Sequence, residues 1–371
     1  MATSHNRIAT KLALNFCVMA LGIVSSGCGK TEASAPAVPM EIVMKTVHDY
    51  GRGHDSSPLP AASADQSQTQ ELYQARIDVL LTNGDFAQLE KIGEQNRAER
   101  ARLLGDIWKT YAFFEAMGNP PHGANLKDAD FESEIEAVKK WNTAYPESAT
   151  ARIALACAYT GYAGFARGTG YADEVSSVQW RKYAVRAGKA KQALLEAATM
   201  RDKDRGWYQA MLQVAHDESW DKMQYRDLLK QAIAFEPDYY HYYKLYANDL
   251  LPQWGGQPGE IQSFAEEVAA SRPEPDSSIL YFEILGALDC YCRQSEEMFA
   301  STSWPKVKQG YENINRLYGT SNLKANRYAV FAYFVKDKQA AKEAFAAISS
   351  RESDIWDQNS FEAVRGWANT P

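Results

Sequence analysis

The chain has 371 residues, with 47 acidic against 40 basic side chains and a formal net charge of −7. That balance argues against a nucleic-acid binder, because phosphate backbones are gripped by clustered Lys and Arg. At this length a hydrophobic core supports folding without staples, and five cysteines do not make the disulfide framework of a small secreted domain.

Arg7 and Lys11 precede an apolar run from Leu12 to Val24, broken by one strongly polar residue, Asn15. The run is too short to span a bilayer, which takes about 20 apolar residues, and it fits the hydrophobic region of a secretory signal peptide. It ends in Val24-Ser25-Ser26-Gly27-Cys28. This ending resembles the lipobox of bacterial lipoproteins, in which the signal peptidase cuts before the cysteine and the cysteine is acylated; Ser25 stands where Leu is usual. The resemblance implies a signal peptide over 1–27, lipidation (palmitate) at Cys28, and a mature chain of 344 residues (371 minus 27). Without Arg7 and Lys11 the formal charge becomes −9 (−7 minus 2). Such a body repels anionic head groups, so attachment to the membrane would rest on acyl chains, at about 0.8 kcal/mol per buried methylene. Gly29, rather than Asp, after Cys28 points to the outer membrane, facing the periplasm, in a diderm envelope.

Residues 28–66 contain Pro36, Pro39, Pro58 and Pro60 among Ala, Ser and Gly, a composition that reads as a flexible tether with one apolar stretch, Met40 to Val47. From 67 to 371 the pattern is helical. Leu72, Ala75, Ile77, Val79 and Leu80 mark a first helix, Asn83-Gly84-Asp85 a stop and an N-cap, and Phe86, Leu89 and Ile92 the return helix of an αα-hairpin. Further helices are expected from Leu103 to Met117 and through Phe131, Ile135, Val138 and Trp141, with Pro146 ending the latter. No stretch alternates apolar and polar residues long enough to predict a strand.

Self-similarity supports an array. Trp207-Tyr208 stands two helical turns before Ala215, and Tyr239-Tyr240 stands at the same distance before Ala247; Pro146 and Ala156 repeat the separation of Pro237 and Ala247. The offset from Trp207 to Tyr239 is close to the repeat of tetratricopeptide helical pairs, about 34 residues. The expected fold is therefore all-α, an αα-hairpin repeat forming a tetratricopeptide-like right-handed superhelix or an irregular helical array.

Four motifs in order, Leu81-Thr82-Asn83-Gly84-Asp85-Phe86, Ala166-Arg167-Gly168-Thr169-Gly170, Gly206-Trp207-Tyr208 and Leu251-Pro252-Gln253-Trp254-Gly255-Gly256, resemble the bacterial domain-of-unknown-function 4034 family over residues 70–271. The resemblance implies one continuous helical domain. It brings no activity, substrate or catalytic residue.

Each chemical motif competes with a simpler account. Gly27-Cys28-Gly29-Lys30-Thr31 imitates the end of a phosphate loop, but Val24 occupies the required first glycine and no strand precedes it. Cys290-Tyr291-Cys292 lacks the spacing and the further ligands of a zinc site; isolated thiols are expected, with a bridge to Cys157 as the lesser reading. Arg167 among Gly164, Gly168 and Gly170 suits an anion-binding turn, although an inter-helix loop explains the glycines as well. Trp254 follows a helix-ending Pro252 and is the first candidate for an exposed partner anchor. In Tyr239-Tyr240-His241-Tyr242-Tyr243-Lys244-Leu245-Tyr246, helical spacing places Tyr239, Tyr242, Tyr243 and Tyr246 on one core face, with His241 and Lys244 directed elsewhere and Tyr240 at the boundary as groove lining. Lys244 and Asn248, four apart, have the spacing of a peptide-carboxylate clamp or of a plain solvated face. His122 and His216, the latter beside Asp217 and Glu218, read as surface histidines.

No cofactor, metal or catalytic motif is predicted. The leading expectation is a lipid-anchored envelope scaffold holding a protein or peptide partner on a curved, aromatic-lined surface. The alternative is an envelope hydrolase with carboxylates contributed by distant helices, which facing carboxylates in a closed cleft would favour.

Overall fold

The computed structural model describes residues 62–65, 69–120, 126–169, 174–251, 256–288, 299 and 301–370. Cys28, His122, Gly170, Trp254, Cys290 and Cys292, and the apolar stretch of the tether, lie outside them.

The described chain is all-α in class. Strand β1 (Ala62–Asp65) is followed by α1 (Gln70–Asn83), α2 (Phe86–Ala98), β2 (Arg100–Leu103), β3 (Ile107–Trp108), α3 (Lys109–Gly118), α4 (Asp128–Ala144), α5 (Ala149–Arg167) and α6 (Ser177–Ala197). Next come α7 (Arg205–Asp217), α8 (Lys222–Phe235), α9 (Tyr240–Asp249), α10 (Glu260–Ala270) and α11 (Asp276–Leu285). The chain closes with α12 (Trp304–Tyr318), α13 (Asn322–Phe334), α14 (Lys338–Ala347) and α15 (Gln358–Asn369).

Local chemistry sets the boundaries. Thr69 caps α1 by accepting the Leu72 N–H, and Gly84, at φ 71°, ends it in the left-handed conformation that glycine adopts without a Cβ penalty. Asp85 then caps α2 by accepting the Gln88 N–H. Ser148, Ser176, Asp204, Asp221, Ser321, Asp337 and Asp357 do the same for α5, α6, α7, α8, α13, α14 and α15. Each cap satisfies a backbone donor that the first helical turn leaves open.

One buried apolar cluster runs from Tyr73 on α1 to Ala368 on α15. Along α1 the core face is Tyr73, Ile77 and Leu81, which leaves Leu72 and Val79 more than half exposed, so the helix is less crowded with core residues than its composition implies. Trp207, Tyr208, Tyr239 and Tyr240, the two aromatic pairs whose spacing recurs in the sequence, are all buried, and α7 packs on α9.

One expectation is corrected. The segment from Leu103 does not begin a helix: β2 and β3 form a short antiparallel hairpin, Arg102 opposite Trp108 and Leu103 opposite Ile107, and α3 starts only at Lys109. Gly105 and Asp106 turn the chain with φ of 74° and 63°, conformations a helix does not contain. The Gly105 N–H donates to the Tyr318 carbonyl at 3.0 Å, so the turn is fixed at the end of α12. At the end of the segment read as a tether, β1 pairs in parallel with β2, Ala62 opposite Arg100 through Asp65 opposite Leu103.

Helices α3 and α5 cross backbone to backbone, and a Cβ on Gly161 would lie 1.8 Å from the Gly118 carbonyl oxygen. Gly161→Ala should therefore cost about 1–3 kcal/mol or more in urea unfolding, the range of overpacking in a core. Gly188 on α6 has nothing within 4 Å of its Cβ position; Gly188→Ala should raise stability by about 0.5–1 kcal/mol through helix propensity. Equal effects at the two glycines would refute this account of the packing.

Candidate functional site

The hairpin carries two arginines into the interior, where the surrounding helices supply their counter-charges. Arg100 donates to both oxygens of Glu236, Nε to Oε2 at 3.2 Å and Nη2 to Oε1 at 3.0 Å, and also meets Asp238. Arg205, at the start of α7, reaches the same Glu236 at 3.3 Å. The Arg102 guanidinium lies 2.9 Å from the centre of the Trp108 ring; its Nε contacts Asp106 at 2.9 Å and its Nη1 donates to the Arg100 carbonyl at 2.6 Å. Delocalised charge over an indole face is favourable once water is excluded. Glu236 is 0% exposed, so its arginines are required rather than optional.

A second set of ions closes the centre from the far end of the sequence. Glu283, on α11, receives Lys324 and, at 2.9 Å, Arg327, both on α13; all three are 2% exposed or less. Burial pushes the Asp106 carboxyl up to about 7 against the pull of Arg102, while Glu283 adds to the rise and Lys324 opposes it. Burial likewise lowers Lys324 against the pull of Glu283. The network thus joins residues from opposite ends of the described chain, from Arg100 to Arg327.

Helix α9 lies against this centre and holds three of the five candidate partner-binding residues. Tyr240 is 2% exposed and its ring is 4.9 Å from the Lys324 ammonium, so it is a wall of the network and not groove lining. Tyr239, Tyr242, Tyr243 and Tyr246 are core, as their spacing predicts. His241 is not directed to solvent: it stacks on Tyr111 of α3 with ring centroids 3.8 Å apart, because α9 is covered on both faces. Its Nε2 is buried and finds no hydrogen-bond partner among the described residues. Burial, then Lys244, Lys324, Arg102 and Arg327, hold its pKa well below the ordinary histidine value.

Lys244 and Asn248 are half-buried. Lys244 acts on His241 and also on Glu115 of α3. The Glu115 carboxyl accepts from Asn119 at 3.0 Å, and it is raised by burial and by Asp354, with Tyr111, Asn119 and Lys244 opposing. Lys244 therefore belongs to a charged margin at the α3–α9 contact.

Arg167 sits apart from these. It is 2% exposed, donates to the Gly168 carbonyl at 2.9 Å and stands 5.6 Å from the Trp180 ring. Gly168 has φ 74°, as the loop reading requires, and the burial of Arg167 removes it from any exposed anion-binding turn. The reading of His216 as a surface residue is corrected: its side chain is 8% exposed and its Nδ1 meets Asp249 at the end of α9. Asp217 and Glu218 diverge from it, Asp217 accepting from Gln213 at 2.8 Å and Glu218 from Lys191 at 2.7 Å, as neighbours on a helix must. Cys157 is a free thiol on α5, pushed up by burial.

Sequence patterning missed Arg100, Arg102, Asp106, Arg205, Glu236, Glu283, Lys324 and Arg327. Two signals were present. Gly105-Asp106 between apolar residues is a hairpin turn, and Glu283 interrupts an otherwise apolar run from Ile279 to Leu285, which marks a buried charge awaiting partners. A shallow depression of about 350 Å³ lies at the start of α10, lined by Gln257, Pro258, Glu260, Ser263, Glu266 and Ser301; no network residue lines it. Among the described residues no three His, Cys, Asp or Glu side chains gather as a metal site.

Glu283→Gln keeps the shape of the centre and removes its charge, leaving Lys324 and Arg327 uncompensated. Removing one partner of a buried ion pair costs about 3–5 kcal/mol, and urea unfolding should register a loss of that order; a change under about 1 kcal/mol would mean that the centre is hydrated. His241 gives a pH signature. The folded state holds it neutral while the unfolded chain protonates it below about pH 6.5, so its contribution falls as pH drops through that value. Asp106 has the opposite sign, since its raised pKa favours the folded state at low pH and that gain is lost as pH rises toward about 7. His241→Phe should therefore become more stable relative to the parent as pH falls from 7 to 5, by up to about 1.4 kcal/mol per pH unit. A difference independent of pH would show that His241 takes up its proton as readily in the folded chain as in the unfolded one.

No family model matches the chain, and no curated protein or solved structure matches it either.

Proposed function

We propose that the chain is a cell-envelope lipoprotein, anchored through acyl chains on Cys28, whose helical body is a scaffold for a protein or peptide partner. The observation that carries this reading is the distribution of charge. Glu236 and Glu283, buried at the centre, are each held by two cations, so their oxygens are taken up by structural partners within the body rather than presented to a substrate. That favours a scaffold over the envelope hydrolase.

The aromatic residues expected to line a concave groove are used inside the body instead; the strongly exposed large apolar residues among those described are Leu72, Val79, Val178, Val185 and Met223. The proposal accordingly places partner contacts on outer helix faces, Trp254 remaining a candidate anchor. The helices from α7 to α10 are read as two tetratricopeptide-like pairs, the second repeating the aromatic pair of the first, and the likeness to the domain-of-unknown-function 4034 family is part of the same proposal. No helix among the described residues is long and apolar enough to cross a membrane, and the proposal assigns attachment to lipid.

Cys28→Ala should move the protein from the membrane to the soluble fraction or leave an uncleaved precursor. Mature protein that stays on the membrane without acyl mass would overturn the anchor. Affinity recovery of the tagged full chain from detergent-solubilised envelope should return a stoichiometric partner; a bare, monodisperse chain would overturn the scaffold.

A further inference from the structure

Helix α6 is the outlier in an acidic chain. It carries Arg181, Lys182, Arg186, Lys189 and Lys191, and no acidic residue before Glu196 in its last turn. The inner cations are matched at home: Arg186 donates to Asp128 at 2.8 Å and to the Tyr162 carbonyl at 2.9 Å, and Lys191 binds Glu218. The outer ones are not so held. Arg181 and Lys189 are exposed with no carboxylate in ion-pair range among the described residues, and Lys182 stands 3.8 Å from Asp128 with half its side chain in solvent.

At 100° per residue, Val178, Arg181, Lys182, Val185, Gly188, Lys189 and Gln192 fall within an arc of about 120°. All are exposed. Val178 and Val185 are 51% and 50% exposed, although β-branched residues disfavour helices and gain nothing from water. Gly188 adds a notch where a second backbone can approach. Two apolar knobs and a notch, flanked by cations of one sign, make a stripe complementary to a segment carrying small apolar side chains and carboxylates.

We propose that this outer stripe of α6 docks an acidic, amphipathic segment of a partner protein, an inference that rests on the scaffold reading and names the chemistry of its partner. Charge complementarity selects the occupant, since like charge excludes basic segments at a cost that rises as water leaves. A bilayer fits less well, because interfacial helices insert Trp, Phe or Leu, whereas Trp180 is half-buried against Arg167, Tyr183 is buried, and Tyr159, under Lys189, is half-buried.

The test places the photo-crosslinker p-benzoylphenylalanine at Val185 of the full chain in cells, with Leu72 and Met223 as other exposed apolar positions. The expected result is an adduct at Val185 whose peptide, mapped by mass spectrometry, is rich in Asp and Glu and belongs to another protein. Arg181→Glu with Lys189→Glu should lower that adduct about tenfold while far-UV circular dichroism stays unchanged. An adduct with lipid alone, with a second copy of this chain, or with a segment lacking acidic residues would overturn the proposal. Adducts at Leu72 or Met223 but none at Val185 would overturn it and leave the scaffold standing; none at all three positions would also overturn it, and the affinity recovery from envelope then decides the scaffold separately.

Discussion

A charge inside a protein has to meet its opposite, and in this chain that requirement ties the most distant parts of the sequence together. Arg100 and Arg102 enter on a hairpin whose turn is hydrogen-bonded to the end of α12. Their partners come from the loop before α9 and from the turn of the hairpin itself. Glu283, near enough to raise the Asp106 carboxyl, is met from α13. Moving an unpaired ion out of water is prohibitive, of order 20 kcal/mol in the idealised limit and several in practice. None of these elements can therefore settle without the others. The buried network adds little net stability compared with an apolar centre of the same shape, but it penalises every arrangement in which hairpin, α7, α11 and α13 are not all in place.

The same requirement explains why the described interior is filled where a groove was expected. A bare stack of helical pairs leaves its concave side open; here residues 100–108 pack at the start of α9, with Trp108 edge-on to Tyr239 at 4.9 Å and Arg102 above the indole. Tyr240, Tyr242 and His241 then complete a packed centre. The aromatic residues that composition alone assigns to a recognition surface become the walls of an ion-pair chamber.

What the sequence made legible follows from the range of each interaction. Helix ends were readable because a cap and its N–H are two or three positions apart, as at Asn83-Gly84-Asp85 and at the serine and aspartate caps. The core face of α9 was readable through its tyrosines. The opposite face was not, because His241 becomes buried through Tyr111, on a helix far earlier in the chain, and helical periodicity has no term for a second covering layer. The hairpin was lost for a similar reason: its strands, Arg100–Leu103 and Ile107–Trp108, are too short to alternate, and Leu103-Leu104 followed by Ile107-Trp108 mimics helical spacing. Arg167 and the Lys244-Asn248 pair were read as surface chemistry on the strength of residue type; the burial of Arg167 and the half-burial of the other two depend on neighbours that no local pattern announces.

Where charge is neutralised and where it is left over therefore divides the molecule into two kinds of surface. Inside, each cation that α5, α7 or α13 turns inward is met by a carboxylate, a carbonyl or an aromatic face, and the cost of desolvation enforces the match. Outside, nothing enforces it, so a run of one sign on an exposed face is informative only when it departs from the chain around it. Helix α6 does so in two independent respects. Its cations accumulate without acids in a chain of net charge −7, and its exposed valines, Val178 and Val185, recur at the heptad spacing that keeps them on one line. Solubility explains neither, since mixed charges and better helix formers serve that purpose with less loss of helix propensity. A second surface that supplies carboxylates and covers the valines accounts for both features together.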